Sequence, residues 1–135
     1  MKIRLPEFRS TPVRVFTVAG ATILFLVFLF RTPDLHPFLF LLGLDRGIAL
    51  ANPHNPDVFF AIGEHSFGQG RTYDTLKAKK AYLKALELRP DFLEAHYQLG
   101  RVYFIQGRFH PALVEIMTVL RLDHKFKKAY YMYGL

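Results

Sequence analysis

Histidine, lysine and glycine are the residues of this chain with chemistry to offer, and their spacing decides how much. Six histidines (His36, His54, His65, His96, His110 and His124) would suit a metal if two shared a helical face four residues apart. No pair has that spacing, and the absence of cysteine removes thiolate zinc sites, iron–sulfur ligation and disulfide frameworks. Gly63, Gly68 and Gly70 lack the Lys-Ser/Thr ending of a phosphate loop, so they read as turn and packing glycines. No Ser–His–Asp or Cys–His set assembles from spacing, and no acidic pair marks a cleft. The expectation is a non-enzyme with no catalytic residues, no metal and no cofactor. Lys77, Lys80 and Lys84 share a helical face at spacings of three and four, as do Arg121, Lys125 and Lys128. Residues 31–135 hold 14 basic and 10 acidic groups, a difference of only +4. That field is too mild to predict specific nucleic-acid binding. These faces are expected to be solvated, with anionic lipid heads or an acidic partner as the next reading.

The elements that must position these groups begin with an apolar run. In 135 residues, 51% are hydrophobic, 16% aromatic and 21% charged, which excludes a disordered chain. Residues 15–30, VFTVAGATILFLVFLF, contain no charge. At about 1.5 Å per residue they cover roughly 24 Å, and Val13 with a snorkelling Arg14 brings the run close to bilayer thickness. Residues 13–31 are therefore read as a transmembrane anchor behind a basic segment, 1–12. Phe28-Leu29-Phe30-Arg31-Thr32-Pro33 offers no small-residue cleavage site, so an uncleaved signal anchor is favoured over a signal peptide. A buried core helix is the competing reading. Lys2, Arg4, Arg9 and Arg14 against Glu7 predict a cytoplasmic N-terminus and an extracytoplasmic remainder.

The rest of the chain repeats itself. Pro90 lies ten residues before Gly100, Pro53 ten before Gly63, and His124 ten before Gly134, while Ala129 echoes Ala95 and Ala61. The intervals are 37 and 34 residues, and thirty-four is the period of a helix–turn–helix repeat. Phe92, Ala95, Leu99, Val102 and Tyr103 recur at three and four, one face of a helix. Asp91 is an acceptable N-cap with Glu94 three residues on. Gly107 is placed to end that helix in a left-handed turn. Pro111 suits a first helical turn, and Ala112, Ile116, Val119 and Leu120 make the next face. Helices are expected at about 37–51, 56–69, 73–88, 92–106, 109–122 and from 126 onward.

With Ala95, Leu99, Gly100, Tyr103, Gly107 and Ala112 in one repeat, and Ala78, Tyr82, Ala85, Leu86 and Pro90 before it, the chain resembles the tetratricopeptide-repeat family over about 52–135. It departs at His96, where tryptophan is usual, at His124, where proline is usual, and by three extra residues in the 68–76 turn. The resemblance implies an α-solenoid of about two and a half repeats at 53–135; with the anchor and a connecting apolar helix at 32–52, the expected fold is all-α. The resemblance also implies protein binding in a concave groove lined by first helices, with Phe60, Glu64, Phe67, Tyr97, Arg101, Phe104 and Tyr131 as candidates. Such a lining suits an apolar helix or extended peptide. The aromatic-rich end suggests a second contact surface at Lys128, Tyr130 and Tyr133. The expected function is a membrane-anchored scaffold or accessory subunit that touches the bilayer through 13–31 and binds other protein subunits. The alternatives are a self-assembling structural subunit and a soluble adaptor with its apolar N-terminus buried in a larger complex.

Overall fold

The computed structural model describes residues 12–68 and 74–134, with backbone alone at 12–19, 41 and 133. The basic segment up to residue 11, most of the extended 68–76 turn and the side chain of Tyr133 lie outside the described residues. Among the described residues there are eight α-helices and no strand: α1 (Pro12–Arg31), α2 (His36–Leu41), α3 (Asp45–Ala51), α4 (Pro56–Gly68), α5 (Thr75–Leu88), α6 (Leu93–Ile105), α7 (Phe109–Leu122) and α8 (Lys127–Tyr133).

Local chemistry accounts for most of these boundaries. Pro56 opens α4 at the position where a missing N–H costs nothing, and Asn55 Oδ1 accepts from the Asp57 amide at 3.0 Å. Asp74 caps α5, its Oδ1 accepting from the amides of Leu76 (3.0 Å) and Lys77 (2.9 Å). Arg89 is extended, as a residue before proline must be, and ends α5. Gly107, with φ of +70°, closes α6 as expected. The expected cap at Asp91 is not formed. The N-cap of α6 is Phe92, which has no side-chain cap bond and is buried instead, so packing of the ring sets the helix entry.

Two further expectations are corrected. The connecting helix is broken into α2 and α3, because Gly43 takes φ of +71° and turns the chain between them. The echo at Ala61 is out of register. Counting back five from each repeat glycine gives Val58, Ala95 and Ala129, and these three are buried whereas Ala61 is half-exposed.

Helices α4 and α5 form one hairpin and α6 and α7 another, with α5 against α6 and α8 against α7. The glycines in register mark the tight crossings. A Cβ on Gly63 would lie 2.4 Å from Cε1 of the fully buried Tyr82, and one on Gly100 would lie 2.9 Å from Ile116 Cδ1. The core runs the length of the stack: Leu39, Phe40, Ile48, Val58 and Ile62 join α2 and α3 to α4, then Phe67, Ala78, Tyr82, Leu99 and Val102 follow, and Ile116, Val119 and Ala129 come last. The connecting segment thus packs on the repeats. Among the described residues no single helix is long and apolar enough to cross a membrane, while Gly20–Arg31 and Pro33–Phe40 together have the composition but are bent by 80°.

Candidate protein-binding groove

Glu64 sits one residue past the tight crossing at Gly63, so its carboxylate emerges beside the Tyr82 ring that fills that crossing. The Tyr82 hydroxyl donates to Glu64 Oε1 at 2.6 Å. Gln98, on the first helix of the next repeat, donates to the same oxygen from Nε2 at 2.5 Å. Arg101 Nη1 donates in turn to Gln98 Oε1 at 2.7 Å, and its guanidinium lies 5.0 Å over the Phe67 ring and 6.0 Å from that of Tyr97. A relay of Tyr82, Glu64, Gln98 and Arg101 therefore crosses from α5 through α4 to α6. Burial pushes the Tyr82 phenol far above its usual range, and the bond to Glu64 adds to the shift, so this hydroxyl is a fixed donor. Two donors thus converge on one oxygen of the Glu64 carboxylate. Beside it a cleft of about 360 Å³ opens between α2 and α4, lined by Pro37, Phe40, Glu64, His65 and Gly68. His65 stacks on Phe40 at 5.3 Å and walls that cleft.

The expected groove residues divide. Glu64, Tyr97 and Arg101 are brought together on one surface of the stack. Phe60 packs at 4.9 Å from Phe92 and 5.8 Å from Tyr82, within the inter-repeat core. Phe67 is buried beneath Arg101. Phe104 is half-exposed and meets Phe109 edge-on at 5.5 Å, next to the α6–α7 turn. Tyr131 stands 77% exposed on α8, without a hydrogen bond or ring contact among the described residues. At the second expected surface Lys128 is exposed, and Tyr130 is 53% exposed with its hydroxyl donating to His124 O at 2.9 Å. Tyr133 has no described side chain. Gln98 and Tyr82 complete the relay, and the sequence does not single them out as site residues. The available signal for Gln98 was its place one turn before Arg101 on the same helix; Tyr82 lies on the neighbouring helix, 18 residues from Glu64, and gave none.

His96, the substitute for the usual tryptophan, joins three pieces of chain. Its Nδ1 meets Glu115 Oε2 on α7 at 2.6 Å, and its Nε2 meets the carbonyl of Pro90 at 2.8 Å. With acceptors at both nitrogens the doubly protonated ring fits best, and the bond to Glu115 raises its pKa against the opposing effect of burial. No three residues among the described ones form a potential metal site.

Comparison with known proteins agrees with this geometry. A family model described as TPR repeat matches residues 77–107, and a second, described as tetratricopeptide repeat, matches residues 93–126. No curated protein matches the sequence. Among solved structures the chain is similar to "Crystal structure of MamA", with a TM-score of 0.63 and 19% identity over 90% of this chain and 70% of that one. At that identity the likeness speaks for the fold. The stretch 77–126, which takes in most of α5 and all of α6 and α7, is tetratricopeptide repeat, and the hairpin stack built around it is a tetratricopeptide-like solenoid.

Proposed function

We propose that this chain is a membrane-anchored tetratricopeptide scaffold, an accessory subunit that holds another protein in the groove around Glu64 and Arg101. The observation that carries the membrane part is the surface of α1. Ile23, Leu24, Phe25, Leu26, Val27 and Phe28 are consecutive, and each is at least 41% exposed, so apolar side chains face outward all round the helix. A helix apolar on every side needs a nonpolar surrounding. Counted from Pro12, the twenty residues of α1 reach about 30 Å, the thickness of a hydrocarbon core, although the part from Gly20 to Arg31 is too short to cross by itself. Leu39 and Phe40 are already buried with Ile48 and Ile62, so the limb beyond the 80° bend belongs to the repeats and α1 is the limb left for lipid. Its basic N-terminal flank favours a cytoplasmic N-terminus with the repeats on the opposite side.

The binding part rests on the relay. Glu64 offers a carboxylate and Arg101 a cation flanked by rings, which suits an extended or helical peptide carrying both apolar and charged residues. Alkaline carbonate washing of membranes that contain the full chain should leave it in the pellet. Protease outside spheroplasts should cut near Lys77 while the N-terminus stays protected. Release by carbonate would remove the anchor reading, and a protected Lys77 would reverse the orientation. Arg101→Glu should strip the partner that copurifies with the unaltered chain while leaving the helical content intact. Self-assembly is the second reading, and the observation favouring it is the bare ring of Tyr131.

A further inference from the structure

Helix α3 stands between two clefts that the peptide groove does not use. On one side, α1 and α3 enclose an apolar cleft of about 250 Å³ lined by Ile23, Leu26, Val27, Phe30, Gly47 and Leu50. The contact is close: a Cβ on Gly47 would lie 2.6 Å from the Phe30 ring, and Asn52 Nδ2 donates to Phe30 O at 2.9 Å. Leu50 is 82% exposed at the edge of this cleft, a high value for a leucine on a docked helix. On the other side, a cleft of about 230 Å³ opens toward α4 and α5. Its floor is Ala49, Phe59, Ile62 and Ala81, and its rim is basic, with Arg46, Lys77, Lys80 and Lys84.

Charge at that rim is in excess. Lys77 is paired with the buried carboxylate of Asp45, and Lys84 with the exposed Glu87 at 2.9 Å. Arg46 and Lys80 have no carboxylate partner among the described residues. Arg46 and Leu50 are four residues apart on α3, hence neighbours on its surface. One ridge therefore carries a cation facing the basic cleft and an apolar side chain facing the greasy one.

We propose that α3 binds one anionic phospholipid across this ridge, an acyl chain lying in the α1–α3 cleft and the phosphate held by Arg46 and Lys80. This rests on the anchor reading, which places α3, packed on the last turn of α1, at the depth of the headgroups. A peptide would also answer to the cations. The apolar cleft against the anchor helix, continuous with the bilayer in that reading, is what selects a lipid.

The test uses the full chain in a neutral detergent with three probes: dihexanoyl-phosphatidylglycerol and dihexanoyl-phosphatidylcholine, each below its micellar concentration, and inorganic phosphate. The phosphatidylglycerol should raise the thermal midpoint and stay bound in native mass spectra, and the other two should do neither. Arg46→Glu with Lys80→Glu should weaken retention about tenfold or more, and Leu50→Ser should weaken it with the rim intact, both at unchanged helical content. An equal response to inorganic phosphate would make this a free-anion site and overturn the proposal, as would an equal response to phosphatidylcholine or retention indifferent to these variants. Carbonate washing stays separate. A chain released by carbonate that still retains the soluble lipid keeps the site and loses the anchor, whereas a chain held in the membrane that retains none keeps the anchor and loses the site.

Discussion

Gly63 and Gly100 hold the same register position in successive repeats, yet the atoms facing them differ in how far they can yield. Ile116 Cδ1, opposite Gly100, is the free end of a flexible side chain. The Tyr82 ring, opposite Gly63, is rigid, fully buried and held at its hydroxyl by Glu64. Alanine in place of a mid-helix glycine gains up to about 1 kcal/mol of helix propensity. Gly100→Ala should therefore be close to neutral, because Ile116 can turn aside. Gly63→Ala must displace the ring and break the relay, with an expected loss of about 1–3 kcal/mol. Thermal or urea unfolding of the two variants side by side checks the ranking. Gly100→Leu should fall in the loss range too, since a full side chain cannot share that crossing. Equal midpoints for Gly63→Ala and Gly100→Ala would mean that the Tyr82 ring is not wedged as described.

At the scale of elements, the α6–α7 hairpin carries a titratable tie. His96 binds α7 through Glu115 and the turn before α6 through Pro90 O, and both contacts favour the protonated ring. The folded pKa is raised above the ordinary histidine value of about 6.5. Folding thus takes up a proton, and the stabilisation is fully present below the unfolded value. It is lost as the pH rises through the higher folded value. Arg121, also on α7, acts in the opposite sense as a like charge. A melting curve followed from pH 5.5 to 8.5, a window of about three pH units around that value, should show the midpoint falling. In Glu115→Gln the decline should be much shallower. A wild-type midpoint that rises over the same window would contradict the protonated tie.

At the scale of the whole molecule, the last described helix of the stack leaves part of its aromatic face uncovered. Ala129 is fully buried against Ile116 and Val119, and Met132 and Phe126 pack beside it, so α8 is firmly docked. Tyr131, on the other side, remains bare. A ring with a polar tip in that position suits an interface better than open water. Tyr131→Ser should change stability by no more than about 0.5 kcal/mol, the usual limit for an exposed site, yet reduce the mass of any assembly the chain forms. Sedimentation of the full chain in detergent reads the second effect and a melting curve the first. Loss of stability without loss of mass would make Tyr131 part of the fold.

The sequence by itself determined the helices and their order, because periodicity at three and four is written residue by residue and caps such as Gly107 act over a single turn. It also determined the repeat, since Gly63 and Gly100 must be small wherever two helices cross closely. Legibility failed where the deciding contact is remote or where two local rules compete. Asp91 satisfied the local rule for a cap, but burial of the neighbouring Phe92 ring moved the helix start. The apolar stretch 32–52 reads locally as one connecting helix, although Gly43 breaks it so that Leu39 and Ile48 can both reach the core of the first repeat. Of the expected groove, Glu64 and Arg101 could be named from their positions on first helices, but not that Phe60 would be spent on the core. The relay itself belongs to the tertiary structure. Tyr82 and Gln98 lie 18 and 34 residues from Glu64, and only the stacking of one hairpin on the next aims their donors at one carboxylate oxygen.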